Sequence, residues 1–210
     1  MKRLYKGIRD FQQSHFRKEE DFFKRLSKSQ SPEVLFITCA DSRIDPNLVT
    51  QTRPGELFIV RNVGNIVPPY DSITDKNSVA AAIEFAVLSL KVSDIIICGH
   101  SGCGAMDALY ASDSELKNMP HLRDWLRIAS PVRERVEAAG QEIALDRQRA
   151  TEEANILAQL GNIESYPFVA QALNESRVHL HGWYYEIKTG HMYAYMPEKE
   201  QFEKIVYAKD

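Results

Sequence analysis

Three side chains able to bind a metal stand at the ends of two apolar runs. His100 and Cys103 lie together in Cys98-Gly99-His100-Ser101-Gly102-Cys103-Gly104. Cys39 follows Val34-Leu35-Phe36-Ile37-Thr38 and opens Cys39-Ala40-Asp41-Ser42-Arg43. Ile95-Ile96-Ile97 reads as a buried strand and Ala105 to Tyr110 as a helix, so the glycine-rich loop joins strand to helix. Open α/β sheets place their sites beyond the carboxyl ends of the strands. Two neighbouring parallel strands would therefore offer Cys39, His100 and Cys103 to one ion. Two thiolates and one imidazole form a catalytic zinc set, with a fourth position left for water. Asp41 and Arg43 would lie beside that water. Asp41 is also the evident candidate for a fourth protein ligand, which would close the site.

The elements that must position these groups follow from periodicity. Residues 1–28 mix Leu4, Ile8, Phe11, Phe16, Phe22, Phe23 and Leu26 with many charges, the pattern of one or two amphipathic helices. Leu57 to Val60 is a second buried strand. Asp45 and Pro46 suit the cap and first position of a short helix. Asp75 is a candidate cap for a helix from about residue 77 to Leu90, whose stripe is Val79, Ala82, Ile83, Ala86, Val87 and Leu90. Strand and helix thus alternate through the first half, which argues for a mostly parallel sheet with right-handed crossovers. Pro120 to Leu173 is helical in pattern. Val178 to Ile187, the Thr189-Gly190 turn and Met192 to Tyr195 read as an antiparallel hairpin at the sheet edge. The charged tail after Pro197 is expected to form a short helix. The expected fold is α/β: a central sheet of about five strands flanked by helices, an antiparallel edge strand near the C-terminus, and an N-terminal helical arm.

Bulk properties narrow the function. A chain of 210 residues fits one domain, residues 1–210, with the arm at 1–28. A formal net charge of −3 gives no nucleic-acid footprint. Three cysteines do not make a disulfide framework and suit a reducing compartment. No signal-peptide core follows Met1-Lys2-Arg3, and no run reaches membrane-spanning length. A cytoplasmic protein is expected. Cys98, inside an apolar strand, reads as a core residue. His15, His121 and His191 read as surface residues, and Trp183, Tyr184 and Tyr185 as core or interface.

Cys39-x-Asp41-Ser42-Arg43 with His100-x-x-Cys103 resembles the β-class carbonic anhydrases. Pro54-Gly55-Glu56-Leu57-Phe58, Arg61-Asn62-Val63-Gly64-Asn65 and Leu180-His181-Gly182-Trp183 are similar to that family too, in the same order along nearly the whole chain. The resemblance implies one zinc per chain on Cys39, His100 and Cys103. It implies a zinc hydro-lyase that reversibly hydrates CO2 to bicarbonate and a proton through zinc-bound hydroxide, with Asp41 and Arg43 as an orienting pair. It implies a homodimer or higher homo-oligomer embraced by the arms. Gln30, Phe58, Val63 and Phe85 match positions lining the substrate pocket of the plant-like, open-site branch, with Gly102 and Gly104 letting backbone approach the metal. Phe85 stands where a Tyr is common, and Phe36 where the closed-site branch has a Trp. Arg61 and Tyr185 match other parts of the bicarbonate pocket found in that closed branch. Two other uses of such a site are a zinc hydrolase of carbonyl sulfide or carbon disulfide, and a noncatalytic bicarbonate-binding protein. The presence of both Asp41 and Arg43 argues against the latter.

Overall fold

The computed structural model describes residues 1–73, 76–140 and 146–206. Its centre is a six-stranded sheet of β1 (Val34–Cys39), β2 (Leu57–Asn62), β3 (Asp94–His100), β4 (His179–Glu186), β5 (His191–Met196) and β6 (Gln201–Lys204), in the order β2-β1-β3-β4-β5-β6. The first four are parallel, and β5 and β6 run antiparallel at one edge. The apolar runs become strands because both faces are covered, as parallel sheets require. Leu35, Ile37, Ile95 and Ile97 enter one core cluster, and Phe36, Ile96 and Cys98 the other.

The helices are α1 (Lys2–Asp10), α2 (Glu20–Leu26), α3 (Pro46–Thr50), α4 (Ser78–Glu84), α5 (Gly104–Ala108), α6 (Pro120–Leu126), α7 (Ser130–Ala138), α8 (Arg147–Glu164) and α9 (Pro167–Asn174). Asp45 caps α3 by accepting from Leu48 N, with Pro46 at the first position. Asn77 caps α4 through Val79 N and Ala80 N. Asp75, the expected cap, lies outside the described residues. A wide-turn stretch, Phe85–Leu90, continues α4 to the Lys91 break at φ 58°. No helix among the described residues is long and apolar enough to cross a membrane.

The tail departs from the expected helix. Among the described residues of the tail only Pro197–Lys199 makes a short helical turn, which Glu200 ends in the left-handed region at φ 53°. Gln201–Lys204 then pairs with β5, adding a sixth strand to the expected five. Phe202 drives this choice: its ring packs against Tyr184 and Tyr195, contacts a solvated helix would forgo.

The strand order sets the functional site. The chain leaves β1 towards β2 on one side, and β3 lies on the other. The crevice between the carboxyl ends of β1 and β3 is therefore a switch point, where open α/β sheets bind ligands. Thr38 is paired with Cys98, so Cys39 and His100 emerge side by side at its mouth.

Candidate metal centre

Cys39 ends β1, His100 ends β3, and Cys103 caps the N-terminus of α5. All three are buried, and their ligand atoms lie within 4.8 Å of one another. The two sulfurs are 4.0 Å apart and unbridged. Two sulfurs on one tetrahedral zinc, each bonded at about 2.3 Å, would sit roughly 3.8 Å apart, so the pair is spaced for one ion. His100 Nδ1 is 3.1 Å from the Ser101 carbonyl. A proton donated there leaves the lone pair on Nε2. That buried Nε2 has no hydrogen-bond partner among the described residues. An unpaired buried nitrogen costs free energy, and a metal supplies the missing partner. The donor set fits zinc.

In the metal-free chain the two thiols share charge unequally. The Cys103 S–H, His100 and the N–H groups of Gly64 and Asp41 hold Cys39 well below the usual thiol range. The Cys39 thiolate and burial push Cys103 well above the usual thiol range. Burial works against a charged imidazole, but the Cys39 thiolate outweighs it and raises His100. The cluster thus favours a cation at its centre. Cys98, expected as a core residue, is wholly buried and pushed up to about 12 by burial, away from thiolate chemistry.

Asp41 and Arg43 form a two-pronged pair beside the sulfurs. Asp41 Oδ1 accepts from Arg43 N and Nε, each at 2.9 Å, and Oδ2 accepts from Nη2 at 2.7 Å. Nη2 also donates to the Gly102 carbonyl at 2.9 Å, tying the pair to the other ligand loop. The Arg43 guanidinium holds the Asp41 carboxyl well below the usual carboxylate range. Arg61 spends its guanidinium on backbone, donating to the carbonyls of Cys39 and Asp41 at 3.1 and 2.7 Å.

The expected pocket residues do not all gather at this centre: Phe58 is level with Leu35, at the far end of β1 from Cys39. Gly102 adopts φ 67°, a left-handed backbone that favours glycine, and there is ordinary room for a Cβ beside Arg43. Gly104 opens α5 into free space. Phe58 and Phe85 touch, with ring centroids 5.9 Å apart. Phe85 and Val63 are 44% and 42% exposed in the single chain, so these apolar groups have no cover of their own. Gln30 is exposed in the segment before β1. Val63 gives its carbonyl to Trp125 Nε1. The sequence reading missed Glu152 and Asn155 of α8, whose side chains reach the ligand loops. Their only sequence signal is polar recurrence at helical spacing.

A family model described as carbonic anhydrase matches residues 34–192. The chain is 45% identical over 202 residues to carbonic anhydrase 1 of Escherichia coli O157:H7, covering 96% of this chain and 91% of that one. It is 42% identical over 194 residues to a carbonic anhydrase of Pseudomonas aeruginosa, covering 92% and 87%. Among solved structures, the β-carbonic anhydrase CcaA matches with a TM-score of 0.92 at 38% identity, covering 98% of this chain and 99% of that one. Tetrameric β-carbonic anhydrases from Sordaria macrospora match at 0.75 and 28%, covering 91% and 94%.

Proposed function

The chain belongs to the β-class carbonic anhydrases, and from that premise we propose that it interconverts CO2 and bicarbonate at one zinc held by Cys39, His100 and Cys103. The observation that carries this is the unpartnered, buried Nε2 of His100 facing two free sulfurs 4.0 Å apart. Zinc, when bound, supplies Lewis acidity that makes a water-derived nucleophile available near neutral pH. The protein does the rest. The Ser101 carbonyl fixes the His100 tautomer. The Gly64 N–H, 3.4 Å from Cys39 Sγ, takes up part of the thiolate charge. Asp41 Oδ2 accepts one bond from Arg43 and keeps a lone pair to accept from the reacting water, aiming it at the carbon of CO2. Arg43, anchored on Gly102, keeps Asp41 ionised and turned from the metal, which supports the open, plant-like form.

Phe58, Val63 and Phe85 suit a small nonpolar substrate, and the exposure of Val63 and Phe85 supports a site completed by a second copy. Leu4, Tyr5 and Ile8 of α1 and Phe11 just beyond it are exposed by 59, 60, 54 and 43%, as an arm reaching a partner requires. A homodimer or larger homo-oligomer follows, in a reducing compartment such as the cytoplasm that keeps three buried thiols free. The test is side-by-side turnover of CO2 and carbonyl sulfide by the zinc-loaded protein and by Cys103→Ala. CO2 hydration lost in the variant supports the assignment. Turnover of carbonyl sulfide alone would move the site to a different hydrolysis.

A further inference from the structure

Helix α8 carries a polar stripe where a buried helix face is normally apolar. Gln148, Glu152, Asn155, Gln159 and Asn162 recur at helical spacing, and Glu152, Asn155 and Gln159 are at most 2% exposed. Such groups are costly unless each finds a partner. Glu152 Oε1 accepts the backbone N–H of Cys103 at 2.8 Å and the Gln148 amide at 2.7 Å. Glu152 Oε2 accepts the Tyr184 hydroxyl at 3.0 Å. Gln148 Nε2 also donates to the Cys103 carbonyl at 3.1 Å. Both backbone polar groups of Cys103 thus end on adjacent turns of one helix. One turn on, Asn155 Nδ2 donates to the Gly64 carbonyl at 3.0 Å. The N–H of that same Gly64 points at Cys39 Sγ. Ile156 packs on Gly99, the residue before His100: an added Cβ there would lie 2.9 Å from its Cδ1 and Cγ1. All three ligand-bearing segments are keyed to residues 148–156.

We propose that Glu152 and Asn155 are positioning residues of the metal centre, acting through Cys103 and Gly64 to hold the two sulfurs at metal-binding separation. The inference rests on the zinc reading of the preceding subsection. Its physical basis is the weakness of the loops themselves. Gly102 and Gly64 sit at φ 67° and 79°, and glycine segments have many backbone alternatives. Helix α8 supplies the constraint. Three donors converge on Glu152, which an acceptor-only carboxylate satisfies and an aliphatic side chain would strand.

Zinc affinity by chelator competition and the visible spectrum of the cobalt-substituted protein read the site directly. Cys103→Ser in the same assay locates the ion; a wild-type chain binding no zinc would remove the zinc reading and this proposal together. With a zinc-binding wild type, Glu152→Ala is expected to weaken zinc about 10- to 100-fold and shift the cobalt bands. Glu152→Gln keeps an acceptor for Cys103 and is expected to stay within about threefold of wild type, well short of that loss. Val169→Ala, buried on α9 and making none of the bonds to the ligand loops, reports the effect of lost stability alone. Wild-type affinity in Glu152→Ala, an equal loss in Glu152→Gln, or an equal loss in Val169→Ala would overturn the proposal. If Glu152→Ala does not fold, the half-buried Gln148 replaces it: weaker zinc and shifted cobalt bands in Gln148→Ala support the proposal, and unchanged ones overturn it.

Discussion

Asp41→Asn separates orientation from metal binding and from folding. The substitution removes a charge but keeps most of the local geometry. An Asn oxygen in place of Oδ1 still accepts from Arg43 N and Nε, and only the Oδ2···Nη2 bond at 2.7 Å is lost. Arg43 keeps its bond to Gly102 and is half exposed, at 51% of its side chain against 17% for Asp41. Solvent therefore screens the pair, and its loss should cost about 1 kcal/mol or less. For a chain of this size that is a drop in Tm of about 2–4 °C. The effect on turnover is of another order. An amide N–H2 facing the reacting water donates where the carboxylate accepted, so the water is aimed wrongly. Activity should fall about 10- to 100-fold, in kcat and kcat/KM alike, because the interaction matters in the transition state. Stopped-flow CO2 hydration, zinc content and thermal unfolding on one preparation give all three numbers. Loss of zinc with activity, or a fall in Tm large enough to account for it, would refute the reasoning.

Cys39→Ala and Cys103→Ala should each lose zinc and turnover, whereas Cys98→Ser, on a buried thiol that donates to its neighbour's carbonyl, should keep both; metal analysis of the three decides. Removing residues 1–28 should convert the assembly to smaller species with impaired turnover, as seen by light scattering; a fully active, well-folded monomer would contradict the role given to the arm. Burial opposes ionisation of Asp94, yet Ser93 and His181 hold its carboxyl below the usual range. Its stabilising contribution is therefore present above the ordinary carboxylate pKa and lost as pH falls through the lowered value. His181→Ala should shrink this acid-labile part in urea unfolding compared at neutral and acid pH, and an unchanged profile would contradict it.

The candidate ligands were legible because chemistry and periodicity coincide at them: Cys39 and His100 stand where apolar runs stop, Cys103 follows in the glycine loop, and the β1–β3 register then brings the ends together. The α8 stripe was not, because a polar residue on a helix looks the same in sequence whether it meets water or a buried backbone. Its partners lie 49 and 91 residues away, a separation no local pattern spans. Strand β6 was hidden for a related reason: four residues are too few for alternation to show, and their state is decided by pairing with β5 and by Phe202. Phe58, Val63 and Phe85 could be matched by type, but the exposure of Val63 and Phe85 in one chain shows only in three dimensions.

A crystal structure of the zinc-loaded protein near neutral pH tests the account most directly. The expected result is one zinc bonded to Cys39 Sγ, Cys103 Sγ and His100 Nε2, a water in the fourth position, and Asp41 still paired with Arg43. An Asp41 oxygen at roughly 2.0–2.2 Å from the zinc, with Arg43 turned away, would contradict the open site and the orienting role assigned to this pair.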